Sequence, residues 1–341
     1  MRTTIRDIAK RVGVSNSLVS LYLNNRPLAA RIAESTKRKI DEAVKELNYN
    51  PSATARALKN GKSKTLGLVT AKLCSDYGSF FAQTLLDECS RQGYQLLIGI
   101  THFNAEEERR ALENLISRQA DGIFYTLKLF PADYLNAIGR NDYPVLQLNS
   151  EDPEFNSVTP DLEDPLKEVA RKIRELGCRR ILVPHQSWSD ILEKELAGYG
   201  VEIVGGRSRT TSDAENFQFL KDLRPDAVAA DSSIYIKLLR RKYRELGLPT
   251  PYLFYSYALP CDYIEDPAIV GVTVCNFKHR LSGIVHRMIQ MLEHPGAAVL
   301  HTRDPIRFMN PNELRTYHQS QLADPFYEPL VSKLNYEEYD R

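Results

Sequence analysis

Thr4-Ile5-Arg6-Asp7-Ile8-Ala9-Lys10-Arg11-Val12-Gly13-Val14-Ser15-Asn16-Ser17-Leu18-Val19-Ser20-Leu21-Tyr22-Leu23-Asn24 decides how the first part of this chain folds. Ile5, Ile8, Ala9 and Val12 recur at helical spacing, and Gly13 interrupts the pattern. Ser15 is a side chain suited to cap a second helix, in which Leu18, Val19, Leu21, Tyr22 and Leu23 are apolar or aromatic. Two short helices joined by a tight glycine turn make a helix-turn-helix. A loop at Asn24-Asn25-Arg26-Pro27 leads to a third predicted helix over 32–47, with Ile40, Ala43, Val44 and Leu47 inward. Asn48-Tyr49-Asn50-Pro51 ends it. The next segment, 51–61, starts on Pro51 and stops on Gly61, as a short helix would. It is about two turns long and has no broad apolar face, so it needs a partner to stay folded.

The charge is divided unevenly. Residues 1–64 carry 14 Lys and Arg against five Asp and Glu, a net charge of +9, whereas the remaining residues carry 31 against 39, a net of −8. A basic head on an acidic body points to a polyanionic partner at one end.

From Lys64 onward the texture changes to strands alternating with helices. Strands are predicted over 65–69, 95–98, 122–125, 145–148, 180–184, 201–204, 227–230 and 252–255. Helices are predicted over 80–91, 106–119, 165–176, 189–199, 214–223, 235–246 and 278–292. Alternation of this kind implies parallel sheets. Its two series, breaking near Asp161, imply two similar lobes with a cleft between them, a common ligand site.

Other classes are disfavoured. No apolar run reaches the length needed to span a bilayer, and the N-terminus lacks the apolar core of a signal peptide, so a cytoplasmic protein is expected. Five widely spaced cysteines, Cys74, Cys89, Cys178, Cys261 and Cys275, suit reduced and mostly buried thiols. The seven histidines show no metal spacing, and no phosphate-binding loop, nucleophile elbow or triad is visible. No metal, cofactor or catalytic residue is expected.

The opening motif, Thr4-Ile5-x-Asp7-Ile8-Ala9-x-x-Val12-Gly13-Val14-Ser15-x-x-x-Val19-Ser20-x-x-Leu23-Asn24, resembles that of the lactose-repressor/galactose-repressor (LacI/GalR) family. Asn50-Pro51-Ser52-Ala53-x-Ala55-Arg56-x-Leu58 resembles that family's hinge. The resemblance implies a helix-turn-helix head (1–49), a hinge helix (50–63), a bilobal body of two doubly wound parallel-sheet lobes like a periplasmic binding protein (64–316) and a C-terminal extension (317–341). It implies a dimeric, operator-binding transcriptional regulator. Asn16, Ser17 and Leu21 then occupy the main base-reading positions, with Ser15 and Ser20 flanking. Asn pairs well with adenine, and Leu touches only methyl groups. Many relatives carry Arg where this chain has Leu21, which shifts the expected operator. Thr4, Ser15, Asn24 and Lys37 are candidate phosphate contacts. In the hinge, Ser52 belongs to the motif, Ala55 allows close approach, Lys59 meets phosphate or a groove edge, and Leu58 wedges into the minor groove. The dimer is expected to pair through the lobes, with the helix stretches 81–89 and 281–292 offered as its faces.

The same resemblance offers an effector pocket to a sugar, nucleoside or related metabolite. Its candidate residues are Tyr77, Ser79 and Phe80 on the loop after the first strand, with Asp161, Asp231 and Tyr257. Trp188 is offered as a stacking ring, or else as core; Asp231 as a ligand contact, or else as a helix cap. Two family features are altered. No Arg follows Pro184, where the chain reads His185-Gln186-Ser187-Trp188, and Ser256-Tyr257 stands where an acidic residue is expected. A rival expectation follows, in which the body answers to a protein partner or to no ligand.

Overall fold

The computed structural model describes residues 3–24, 27–50, 61–74, 76–126, 143–149, 155–205 and 220–330. The hinge candidates Ser52, Ala55, Leu58 and Lys59 lie outside them, as does most of the helix expected over 214–223. The chain divides into two compact units, residues 1–64 and 65–341.

The first unit is built from α1 (Ile5–Val12), α2 (Asn16–Leu23) and α3 (Glu34–Glu46), with a 3-10 turn at Pro27–Arg31. Gly13 ends α1 at φ 76°, a left-handed conformation that glycine adopts without a side-chain clash. This lets the chain turn at once into α2, where the Ser15 hydroxyl accepts from the Leu18 amide at 3.1 Å. Ile8, Val19 and Ile40 are fully buried together with Ala9 and Ala43, so each helix gives its apolar stripe to one small core.

Among the described residues, the second unit is built on an eleven-stranded sheet in the order β2-β1-β3-β4-β5-β11-β10-β9-β8-β6-β7. Its first half holds β1 (Thr65–Thr70), β2 (Gln95–Ile100), β3 (Gly122–Tyr125), β4 (Val145–Leu148) and β5 (Asn156–Asp161). Its second half holds β6 (Arg180–Val183), β7 (Glu202–Gly205), β8 (Ala227–Ala230), β9 (Tyr252–Tyr257) and β10 (Ile269–Cys275). The connecting helices are α4 (Asp76–Arg91), α5 (Ala105–Ser117), α6 (Glu163–Glu175), α7 (Gln186–Leu196), α8 (Leu220–Leu223), α9 (Ser233–Glu245) and α10 (Phe277–Glu293). β11 (His301–Met309) and α11 (Pro311–Leu322) complete the order.

Continuous apolar strands make sense because each half is covered on both faces. Leu66 and Leu68 of β1 face one core while Val69 faces another, and Phe124 of β3 alternates with Ile123 and Tyr125 in the same way. In the second half Val228 and Ala230 alternate with Ala227 and Ala229. Close packing shows at Gly99, where a Cβ would come within 2.7 Å of Ala111 on α5.

Strands β5, β10 and β11 and helix α11 go beyond the elements predicted from sequence. β11 joins the halves: it runs parallel to β5 over 301–305 and antiparallel to β10 over 306–309. Pro305, which has no amide hydrogen to donate, sits where the pairing changes partner. Beside this junction the Arg280 side chain of α10 is buried, bonded to Asn149 Oδ1 at 2.6 Å and 3.3 Å from Asp304 of β11.

The stretches offered as dimer faces are mainly interior. Phe81, Leu85, Cys89, Leu281, Ile284, Val285 and Met288 all belong to the core that α4 and α10 share. Exposed apolar side chains of the body include Leu86 on α4, Ile98 and Ile100 on the edge strand β2, and Phe103. No disulfide joins the five cysteines: Cys74 is exposed, Cys261 half-buried and the others buried.

Candidate DNA-reading head and strand-end site

In the head, the side of α2 that carries Val19 is held in the core, while Asn16 and Ser17 in its first turn are exposed. Leu21 is half-buried and is not among the side chains packed on the head's core. Ser20 and Asn24 are partly engaged with each other, since Asn24 Nδ2 donates to the Ser20 carbonyl at 2.6 Å. The amide and hydroxyl of Thr4 both donate to Asp7 Oδ2, at 2.9 and 2.7 Å. These bonds hold the Asp7 carboxyl below its usual range. Lys37 reaches Glu34 at 2.6 Å. Arg6, Lys10, Arg31, Arg38, Lys39 and Lys45 are exposed, and none of them forms a salt bridge within the described residues. The surface can therefore meet phosphates with these cations and base edges with the α2 residues.

The strand-end candidates separate. α4 begins at Asp76, so Tyr77, Ser79 and Phe80 lie on its first turns rather than on a loop. The cause is the spacing of Tyr77, Phe80 and Phe81, which places three rings on one side of the helix, around Phe277. Phe80 is 4% exposed and Ser79 is exposed. Trp188 is 1% exposed and packs in the core with Leu166, Ile173 and Leu192. It has no free face on which a ligand could stack. Tyr257 is fully buried, its hydroxyl bonded to Gln321 Oε1 at 2.5 Å, so it too is structural. Burial also pushes that hydroxyl far above the usual tyrosine range.

Asp161 closes β5, half-buried opposite Pro305. Asp231 follows β8, half-buried, but the cap of α9 is its neighbour Ser232, which accepts from Tyr235 N at 3.5 Å. Asp231 instead meets His185, with Nδ1 to Oδ1 at 2.6 Å. The pair is poorly aligned for a hydrogen bond, so it is a close polar contact and not a directed bond. His185 follows β6 and Asp231 follows β8, and those strands are neighbours in the sheet, so one edge gathers an imidazole and a carboxylate, with Tyr235 alongside at 6.4 Å between ring centroids. Sequence reasoning passed over His185 as a site residue. Its signal was a polar side chain directly after a strand, but its partnership with Asp231 needs the strand order. Two described cavities, of about 410 Å³ beside Tyr143, Asn156 and Arg287 and about 580 Å³ beside Asp164, Arg171 and Phe308, include none of the predicted effector residues.

Residues 4–52 match the family model described as "Bacterial regulatory proteins, lacI family". The chain is 30% identical to catabolite control protein A of Staphylococcus aureus (strain MRSA252) over 219 residues, 63% of this chain and 65% of that one. It is 33% identical to the sucrose operon repressor of Klebsiella pneumoniae over 174 residues, 50% of this chain and 52% of that one. The matched stretch thus spans between about half and just under two thirds of these relatives' length. In fold, the chain resembles a lac repressor dimer bound to operator and the anti-inducer ONPF, with TM-score 0.72, 19% identity, and coverage of 91% of this chain and 98% of that one. It also resembles a Cra transcriptional dual regulator from Pseudomonas putida in complex with fructose 1-phosphate, with TM-score 0.64, 19% identity, and coverage of 72% and 98%. The head, residues 4–52, is thus matched in sequence by the lacI family of bacterial regulatory proteins, and the body resembles solved regulators of that kind in fold.

Proposed function

We propose that this protein is a sequence-specific DNA-binding transcriptional regulator, a repressor, that binds a near-palindromic operator as a homodimer. One observation carries the reading: the side of α2 that holds Val19 is committed to the core while Asn16 and Ser17 stand exposed and Leu21 stays off that core. A helix so held can enter a major groove without unfolding anything. The exposed cations of the head supply phosphate contacts, and two heads are needed to read two half-sites. Leu58 is proposed as the minor-groove wedge of the hinge. Footprinting on a randomised library, followed by binding at several salt concentrations, tests the reading. A site of two related half-sites with a distorted centre is expected. Equal affinity for all sequences at moderate salt would overturn it. Leu58→Ala should weaken binding to the selected site and leave non-specific binding nearly unchanged.

A small molecule, of the sugar or nucleoside kind, is proposed to modulate that affinity from between the halves of the body, with Ser79, Asp161, Asp231 and His185 as its polar contacts. A second reading, in which the body answers to a protein partner or to no ligand, is favoured by the covered state of Phe80, Trp188 and Tyr257. Thermal shifts with sugars, nucleosides and phosphorylated metabolites separate the two. A ligand that raises the melting point and also changes operator affinity excludes the second.

A further inference from the structure

Residues 311–330 pass from the core of one half of the body to the core of the other. In the second half, Leu314 of α11 is buried beside Met309 and Val272, with Tyr317 packed against the same core. The Tyr257 hydroxyl donates to Gln321, and His318 Nδ1 lies 3.1 Å from that hydroxyl. With the Tyr257 proton given to Gln321, the tautomer of His318 that carries its proton on Nδ1 would complete the pair. The His318 ring also stacks on Tyr263 at 4.1 Å.

The chain then crosses. Asp324 accepts from the Phe326 amide at 2.9 Å and pairs with Lys278, at the start of α10, at 3.0 Å. The 3-10 turn Pro325–Tyr327 delivers Tyr327 and Leu330 into the first-half core, both 3% exposed. Phe80 meets Phe326 edge-on at 5.5 Å and stacks on Tyr327 at 6.0 Å. Two residues that the family resemblance offers to an effector, Phe80 in one half and Tyr257 in the other, are thus covered by a single segment of the chain itself.

We propose that residues 311–330 are the resident occupant of this aromatic surface, an internal strap that holds the two halves of the body in one relation. A small molecule that reaches Phe80 or Tyr257 must then displace the strap, and movement between the halves requires its release. Aromatic pairs and buried rings suit such a clasp, since they bury large areas with few rotatable bonds. The strap itself stands on contacts within the body and does not depend on the DNA-binding reading.

Hydrogen exchange on the full-length protein tests it. Phe326→Ala removes a half-buried ring that touches Phe80 and leaves Tyr327 in the core. Amides across 311–330 should exchange about tenfold faster, and those of 76–81 and 257–263 should accelerate with them, because opening one end frees both halves. Amides of the head, 5–46, should not change. Acceleration confined to 324–330, with 76–81 and 257–263 unaltered, would overturn the strap. Should Phe326→Ala fail to melt cooperatively, Lys278→Ala cuts the surface pair with Asp324 without opening the core. It should speed exchange over 320–330 by about two- to threefold, and no change in that segment would count against the proposal. These readouts need no operator, so a failure of the DNA-binding reading leaves them intact.

Discussion

Ser15 does two things with one side chain. Its hydroxyl satisfies the Leu18 amide and so lets α2 begin directly after the Gly13 turn. Ser15→Ala should cost about 1 kcal/mol of head stability, read as a lower thermal midpoint of residues 1–64 within the full chain. His318 is a residue whose charge the fold resists. Burial against Tyr257 and Tyr263 holds its imidazole below the ordinary value, so the folded state favours the neutral ring. The stabilisation of a base with a lowered folded value is complete above the unfolded value and is lost as pH falls through the folded one. The melting temperature should therefore fall as pH drops below about 6.5, and His318→Asn should flatten that part of the profile. An unchanged profile would assign the acid sensitivity elsewhere.

At the scale of elements, the crossing at β11 relies on a buried ion pair. Arg280 of α10 reaches Asp304 and Asn149, so one guanidinium joins three pieces of chain beside the junction of the halves. Removing one partner leaves an uncompensated buried charge, and Arg280→Ala should cost about 3–5 kcal/mol in chemical denaturation. Asp304→Asn keeps the volume and a polar oxygen and should cost less. The same region shows where sequence reading reached its limit. Most of the βα alternation was legible because doubly covered strands such as Leu66–Val69 and Ala227–Ala230 are apolar runs between helical periods. β11 was not, because His301-Thr302-Arg303-Asp304-Pro305 is polar and ends on a proline, and its strand character comes from partners far away in sequence. The exposed start of α2, with Asn16 and Ser17, was legible from the motif alone. Trp188 and Tyr257 misled because a ring suited to stacking on a ligand is equally suited to a core, and only packing distinguishes the two.

At the scale of the whole molecule, the edge of the sheet predicts how copies meet. Ile98 and Ile100 alternate on one face of β2, the outermost strand, with Leu86 on the helix covering that face. An exposed apolar edge of this kind invites pairing. Ile98→Asp should shift the protein toward monomer in sedimentation and lower operator affinity by more than tenfold. A dimer of unchanged strength would move the interface elsewhere. The strap has a separate implication for how the body is made. The core around β1, among the first strands of the body to emerge during synthesis, is completed by Tyr327 and Leu330, which emerge far later. At ordinary elongation rates the interval is on the order of tens of seconds. Through that time Phe80 and its neighbours lack their final cover, so the nascent first half is an incomplete domain and a natural client for chaperones.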